Sequence, residues 1–192
     1  MRRACHVLIA TAVLALAGCA GVPSGPPVGV PGVRPAEPLQ RFALEGRLQV
    51  KDGERLAAVG VSWRHERGHD EWLFTGPLGQ GLARLESGPE GARLSFADGR
   101  HQDAAAATEL AAAVLGVEAP FEALPAWVTA RLREGAEARA VDAVARPTRV
   151  VDAGWTVEYV DYVGPEPDAR PRRIDIHRGD TRLRLVVDDW NP

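Results

Sequence analysis

Residues 72 to 82 read Trp-Leu-Phe-Thr-Gly-Pro-Leu-Gly-Gln-Gly-Leu, and this stretch predicts a chain reversal between two apolar runs. Glycine reaches unusual backbone angles and proline fixes φ, so Gly76, Pro77 and Gly79 favour a tight turn. The tip of such a turn is normally polar and solvated, but this one carries Leu78. The turn alone leaves two readings open: Leu78 folds back onto the core, or it stays exposed as an apolar projection.

The sequence on both sides of this turn has the alternation of β-strands. Apolar and polar residues alternate from Phe42 to Val50, which is typical of a half-buried strand. Asp-Gly pairs at 52–53 and 98–99 suit hairpin turns. Further strand patterns occupy residues 56–63, 71–75, 81–86 and 92–97. Five short strands in this order predict a curling antiparallel sheet.

An alanine-rich segment then changes the period from two to that of a helix. Residues 103–115 predict a helix that Asp103 caps and Gly116 ends. Pro125 suits the first position of a second helix that extends to Gly135. Strand patterns return at residues 138–144, 148–152, 155–163, 172–178 and 181–187.

Helices between the strands of a meander cannot join its ladder, so they must cover one face of the sheet or plug an open end. The concave side is expected to carry Trp63, Phe74, Trp127 and Trp155. These aromatic side chains either surround a ligand cavity or simply fill the interior, and the pattern alone favours the filled interior.

Composition argues against several classes of function. The formal net charge is −3 and the 23 basic residues form no run, which argues against a nucleic-acid surface. The two cysteines, Cys5 and Cys19, both lie near the start, so the body of the chain has no pair for a disulfide framework or a metal cluster. No serine after residue 19 lies in a Gly-x-Ser-x-Gly elbow, which disfavours a hydrolase. His65 and His69 beside Asp70 could suggest a metal site, but their Gly-bearing loop favours a solvated turn.

The first residues predict export and lipid anchoring. Two arginines precede an apolar run at residues 7–16 that is too short to span a bilayer, as in a secretory signal peptide. The run ends in Leu-Ala-Gly-Cys at residues 16–19, which resembles the lipobox of bacterial lipoproteins and implies lipidation of Cys19; the alternative is a plain signal peptide followed by an accidental cysteine. The predicted organisation is a signal peptide at 1–18, a lipidated Pro/Gly-rich tether at 19–39 and a folded domain at 40–192.

Five segments together resemble the LolB family of outer-membrane lipoprotein receptors and cover most of residues 40 to 190. The chain departs from the usual family pattern at Ala130, where a glycine is common, and at Asp189, where a glutamine is common. The matching segments are Phe42-x3-Gly46-Arg47-Leu48, Gly76-Pro77-Leu78-Gly79-Gln80, Leu115-Gly116 leading to Leu124-Pro125-x-Trp127, Gly154-Trp155-x3-Tyr159, and Arg182-Leu183-x-Leu185-Val186-x3-Trp190.

This resemblance implies a mainly β fold: an unclosed antiparallel β-barrel of the LolA/LolB type, with a helical lid over a hydrophobic cavity. It implies a monomeric receptor in the bacterial outer membrane, facing the periplasm, that needs no cofactor, metal or catalytic residue. Such a receptor accepts acylated lipoproteins from the periplasmic carrier LolA and inserts them into the inner leaflet of the outer membrane.

The family's membrane-insertion loop falls on Leu78, with Pro77 and Gly79 beside it, so the resemblance favours the exposed reading of the turn. The acyl chains would occupy the cavity. The alternative is a structural or scaffold lipoprotein that has a filled core and binds a protein partner.

Overall fold

A computed structural model describes residues 39–117 and 119–191. The predicted signal peptide, Cys19 and nearly all of the predicted tether therefore lie outside the described residues. The model contains eleven strands and two short helices: β1 (Arg41–Asp52), β2 (Arg55–Glu66), β3 (His69–Thr75), β4 (Gly81–Gly88), β5 (Gly91–Phe96), β6 (His101–Ala104), α1 (Ala107–Leu115), α2 (Leu124–Val128), β7 (Glu137–Val141), β8 (Pro147–Asp152), β9 (Trp155–Tyr162), β10 (Pro171–Arg178) and β11 (Thr181–Asn191).

All eleven strands belong to one antiparallel sheet in the order β6-β5-β4-β3-β2-β1-β11-β10-β9-β8-β7. The long pairing of β1 with β11 joins the two meanders, from Ala43 opposite Asn191 to Asp52 opposite Thr181. Within the described residues, β6 and β7 are the two edges and do not pair with each other. The predicted unclosed antiparallel architecture is therefore confirmed.

The strand pairings define two ends of the sheet. We call one the loop end, because it carries the turns at residues 53–54, 76–80, 97–100, 153–154 and 179–180; the other is the far end, which carries the turns at 67–68 and 89–90 and the loop at 163–170. Strand β6 finishes at the far end, where Ala104 lies opposite Ala92. Strand β7 begins at the loop end, where Glu137 lies opposite Val151. The helical segment, residues 105–136, must therefore run the length of the sheet across one face.

Aromatic side chains connect the sheet to the helical segment. Phe42 meets Trp63 edge-on at 4.9 Å between ring centroids, and Trp63 lies 5.1 Å from Trp72. Trp72 in turn meets Phe121 of the helical segment edge-on at 5.0 Å. Each of these four rings is buried. Edge-on aromatic pairs contribute stability beyond that of burying their area. This row of rings therefore holds the helical segment against β1–β3.

A polar clamp attaches the other part of the helical segment to β8. The carboxylate of Asp152 accepts hydrogen bonds from Trp127 Nε1 at 2.7 Å and from Arg133 Nε at 2.8 Å and Nη2 at 3.1 Å. Burial opposes ionisation of Asp152, but the hydrogen bonds from Arg133 and Trp127 outweigh it, so its pKa lies below the usual range. A charged, hydrogen-bonded carboxylate thus anchors both α2 and the chain that follows it.

The predicted start of the first helix was wrong. Asp103 belongs to β6, opposite Arg93 in the ladder, and its carboxylate accepts from Arg93 Nε at 2.6 Å. The N-cap is Ala106, whose N–H donates to the side chain of Glu109. The predicted end is confirmed, because Gly116 adopts φ 74° and its N–H bonds to the carbonyl of Ala112.

The predicted extent of the second helix was also wrong, because α2 ends at Val128 instead of continuing to Gly135. The Thr129 hydroxyl donates to the carbonyl of Pro125 at 2.7 Å, and Ala130 follows with φ 53°. A left-handed residue cannot continue a right-handed helix. The chain then extends so that Arg133 can reach Asp152.

The other predicted strands differ from the observed strands mainly in where they begin and end. A sixth strand, β6, precedes the helices, and β2 and β3 extend to a two-residue turn at Arg67-Gly68 where a longer solvated loop was expected. Strand β7 stops at Val141, because residues 142–146 form a turn in which Asp142 accepts from the N–H groups of Val144 and Arg146. Strand β11 continues to Asn191, since Trp190 still pairs with Leu44.

We predict that Ala153→Asn raises the free energy of unfolding by about 0.5–1 kcal/mol. Ala153 occupies the two-residue β8–β9 turn at φ 48°, where most residues other than glycine are strained but asparagine is tolerated because its short polar side chain can hydrogen-bond locally. Chemical denaturation measures the change. Ala58→Asn, at an exposed position of β2, is the control and should lower stability; a loss of stability in Ala153→Asn would contradict the explanation.

We predict that Asp152→Asn destabilises the domain by about 1–3 kcal/mol at neutral pH, because three N–H donors lose an ionised acceptor. The folded pKa of Asp152 is depressed, so its contribution is present above about pH 4 and is lost as the pH falls through the folded pKa. Urea unfolding of both proteins between pH 7 and 3 should show their difference shrinking with acidification. Asp188→Asn removes an exposed pair with Arg47 and should change stability far less. A constant difference across this range would refute the ionic clamp.

Candidate functional site

A small apolar cavity lies between the helical segment and the sheet, with a volume of about 30 Å³. The helical segment contributes four side chains: Leu115, Phe121, Leu124 and Val128. The sheet contributes eight: Leu48, Val61, Trp63, Trp72, Phe74, Ile176, Leu183 and Leu185. Every lining side chain is apolar, so the contacts that close this cavity are dispersion and hydrophobic contacts.

The cavity is far smaller than a ligand pocket. A volume of 30 Å³ admits about one or two molecules the size of water, whereas pockets for small ligands measure about 300–1,000 Å³. In this conformation the interior is nearly filled by side chains. The 30 Å³ cavity itself could admit an acyl chain only if the helical segment moved, although a groove of about 500 Å³ that shares Trp72 and Phe121 with the cavity wall already lies between the helical segment and the far end of the sheet.

The four aromatic residues predicted for the concave side fall into two groups. Trp63 and Phe74 line the cavity. Trp127 and Trp155 are buried but lie outside this lining, 6.2 Å apart between ring centroids, and Trp127 belongs to the Asp152 clamp. The expected set of four thus contains two residues of the cavity wall and two residues near the clamp.

Sequence reasoning missed the lining residues of the helical segment. Phe121 is the clearest example, because it is 2% exposed, packs on Trp72 and lines the cavity. It lies between the two predicted helices, in a stretch where no periodicity could mark it. Its only signal was that it is a large apolar residue, next to Pro120, between two glutamates.

The loop at residues 76–80 holds Leu78 in solvent. The Gly76 N–H donates to the carbonyl of Gln80 at 2.8 Å, and the Gly79 N–H donates to the carbonyl of Gly76 at 2.9 Å. The Leu78 N–H donates to Gln80 Oε1 at 3.1 Å. These bonds satisfy the loop internally, while the Leu78 side chain is 93% exposed. Leu78 therefore does not fold back onto the core.

The histidine pair has a structural arrangement at the far end. The indole of Trp63 donates to Asp70 Oδ1 at 2.7 Å, and His65 Nδ1 lies 2.7 Å from the same oxygen. His65 is buried and stacks on Phe42, whereas His69 is exposed. The expected solvated turn was wrong for His65 and Asp70, because His65 is buried and Asp70, which accepts from the buried indole, also lies in hydrogen-bond contact with His65 Nδ1. In residues 39–117 and 119–191 no three histidine, cysteine, aspartate or glutamate side chains gather in a way that could hold a metal ion.

Tyr159 lies on the same buried face of the sheet, and its hydroxyl has no hydrogen-bond partner among the described residues. Burial raises the pKa of Tyr159 above its usual range, so the phenol stays protonated.

The described part of the chain contains no helix that is long and apolar enough to span a bilayer.

Comparison with solved structures supports the fold alone. A domain from Vibrio parahaemolyticus, assigned provisionally to outer-membrane lipoprotein sorting, aligns with a TM-score of 0.52 at 11% identity and covers 79% of this chain and 84% of its own. A DUF1329 family protein from Desulfovibrio piger aligns with a TM-score of 0.54 at 7% identity and covers 79% and 85%.

Comparison of sequences is more informative. The outer-membrane lipoprotein LolB of Azoarcus sp. is 40% identical over 78% of each chain. The LolB of Thiobacillus denitrificans is 38% identical over 95% of each chain, and that of Alkalilimnicola ehrlichii is 32% identical over 100% of this chain and 98% of its own. The family model described as outer membrane lipoprotein LolB matches residues 40–190. The chain therefore belongs to the outer-membrane lipoprotein LolB family.

Proposed function

We propose that this protein accepts acylated lipoproteins from a periplasmic carrier of the LolA type and inserts them into the inner leaflet of the outer membrane. Membership of the LolB family makes it an outer-membrane lipoprotein concerned with lipoprotein localisation. The observation that carries the finer proposal is the apolar cavity, which a separate helical segment covers. The proposed role is binding and transfer instead of catalysis.

The cargo requires a sheltered path because its lipid is costly to expose. An acyl chain of about fifteen methylenes costs on the order of 12 kcal/mol to leave in water, at about 0.8 kcal/mol for each methylene. A receptor must therefore replace the carrier's apolar surface with its own during transfer. The twelve apolar side chains around the cavity provide such a surface once the helical segment moves.

The closed state also suggests how the receptor could open at low cost. On the cavity side, the helical segment contacts the sheet through apolar side chains such as Phe121, Leu124 and Val128. An entering acyl chain would exchange these contacts for others of the same kind, so little apolar surface would meet water. A closed and an open state of similar free energy allow a ligand to shift the population.

Cys19 and Leu78 would connect this cavity to the membrane. We propose that Cys19 carries the lipid anchor, since several acyl chains on one residue hold a protein on a bilayer far longer than one chain. Leu78, with Pro77 and Gly79, would enter the bilayer surface as cargo leaves. The 93% exposure of Leu78 supports this role, because burial in lipid would remove that apolar area from water.

A structural or scaffold lipoprotein is the second candidate. The cavity volume of only 30 Å³ favours it, since a cavity of this size leaves no room for an acyl chain. The two candidates differ in one measurable property, which is the uptake of an apolar ligand.

We predict that Leu124→Ala increases the affinity for a fluorescent fatty-acid probe several-fold. The substitution enlarges the cavity and removes an apolar contact that keeps the helical segment closed. It should lower the free energy of unfolding by about 2 kcal/mol. Fluorescence titration measures the affinity.

Val150→Ala is the matched control, because Val150 is buried in the sheet but does not line the cavity. It should destabilise the domain without increasing probe uptake. If neither the wild type nor Leu124→Ala binds the probe, the receptor proposal fails and the scaffold reading stands.

We predict that Leu78→Glu still accepts lipoprotein from the carrier but inserts it into vesicles at least several-fold more slowly. A charged tip cannot be buried in the acyl region. Transfer from carrier and insertion into vesicles are measured as separate steps. Val163→Glu, at an exposed position of the far-end loop, should leave both steps unchanged. Full insertion by Leu78→Glu would exclude the loop from the transfer.

A further inference from the structure

Four exposed leucines gather on three consecutive strands and their loop. Leu78 is 93% exposed in the loop at residues 76–80, and Leu56 is 74% exposed at the second position of β2, beside the turn at residues 53–54. Leu73 of β3 and Leu82 of β4 are 42% and 38% exposed, and they lie on the strands that flank the loop of Leu78. In the described residues, the other large apolar side chains of similar exposure are three valines in or beside the far-end turns: Val144, Val160 and Val163.

The strand pairings place both hairpin tips at the loop end. The last pair between β2 and β3 joins Gly60 to Thr75. Leu56 lies four residues before Gly60, so the β1–β2 hairpin carries it about 13 Å beyond that pair. The loop at residues 76–80 leaves β3 immediately beyond Thr75. The two tips therefore project from neighbouring strands in the same direction.

These leucines belong to the outer surface of the sheet. Val61 and Trp63 of β2 are buried, and Leu56 has the opposite parity along the same strand. Leu73 lies between the buried residues Trp72 and Phe74, so it faces away from the helical segment. The apolar surface of the loop end is thus separate from the small cavity.

The charges around the two tips almost cancel. Residues 76–82 contain no charged side chain. On the neighbouring hairpin, Lys51 and Arg55 are balanced by Asp52 and Glu54. Arg182 of β11 lies opposite Lys51, but the loop at residues 76–80 offers no charge to a partner, so an apolar partner suits these tips better. A bilayer is such a partner, and an outer-membrane lipoprotein is already beside one.

We propose that Leu56 is a second bilayer contact beside Leu78, so that the loop end rests on the membrane through two hairpin tips. This inference rests on the proposed function, which supplies the bilayer and the role of Leu78. One leucine gives a marginal contact about which the domain can rotate, whereas two tips on neighbouring hairpins restrict the tilt of the sheet. The long axis of the strands would then point towards the membrane.

The length of the N-terminal segment is compatible with this orientation. The folded domain begins at Leu39, at the far end, since Arg41 lies opposite Glu66. Strand β1 has 12 residues and covers about 40 Å. Residues 19 to 39 can span at most about 70 Å, whatever their conformation. Lipidated Cys19 and the loop end can therefore meet the same bilayer, provided that about a dozen residues of this segment remain.

The test uses the full lipidated protein in vesicles of phosphatidylethanolamine and phosphatidylglycerol. Cys5 lies in the predicted signal peptide and the sulfur of Cys19 would carry lipid, so one introduced cysteine is the only free thiol. A polarity-sensitive fluorophore is attached to Leu56→Cys, Leu78→Cys or Val163→Cys, and lipids bearing a nitroxide on the acyl chain are added as quencher. Val163 is the control because it is exposed at the far end.

We expect blue-shifted emission and strong quenching at positions 56 and 78, with neither at position 163. Raising the salt from 50 to 500 mM should leave the quenching unchanged, because the contact is apolar. Quenching at 78 without quenching at 56 would overturn the second contact while leaving the proposed function intact. Equal quenching at 56 and 163 would overturn the orientation.

A functional comparison separates this inference from the proposed function. Leu56→Gln should reduce insertion of cargo several-fold and leave acceptance from the carrier unchanged. Deletion of residues 22–33 should reduce insertion as well, and refilling the gap with glycine and serine to the original length should restore it. If the wild type accepts no cargo, the proposed function fails, whereas unchanged insertion by Leu56→Gln refutes only the second contact.

Discussion

The architecture depends on one constraint of chain connection. Strand β6 ends at the far end and β7 begins at the loop end, so the connection between them must cross the whole length of the sheet. Since this connection is largely apolar, its side chains pack on the concave face of the sheet. They form one hydrophobic core with the inward-facing side chains of the strands. The cavity, the aromatic row and the Asp152 clamp all follow from that crossing.

The crossing segment is attached by two different kinds of interaction. Near β8, Asp152 holds Trp127 and Arg133 through short, charge-assisted hydrogen bonds. Over β1–β3, Phe121 and its neighbours contact Trp72 and the cavity wall through apolar surface. Charge-assisted bonds depend strongly on geometry, whereas apolar contacts are non-directional. The first kind therefore fixes position and the second kind permits exchange of partners.

Sequence periodicity predicted ten of the eleven strands because these have one buried and one outer face, and it missed β6, which has no buried residue. It misplaced the start of α1, because Asp103 is equally suited to a cap and to a ladder partner of Arg93, and only the strand register decides between them. The purpose of Gly46 was likewise invisible in the sequence: at the β1 bulge, a Cβ would collide with the carbonyl oxygen of Val186. Leu78 could be identified from the sequence of its turn. The size of the cavity could not be predicted, since it depends on side-chain packing in which a single methyl group changes the volume.

The uneven attachment of the helical segment also implies a direction of movement. The margin near β8 is held by directional, charge-assisted bonds, whereas the margin over β2 to β4 is held by apolar contacts such as Phe121 on Trp72, so the second margin is the one that can part from the sheet and re-form contacts of the same kind. Those same strands carry the leucine-tipped loop. Under the proposed function, a lipid tail leaving at this margin would emerge on the same strands as that loop, and so on the side of the molecule that faces the leaflet.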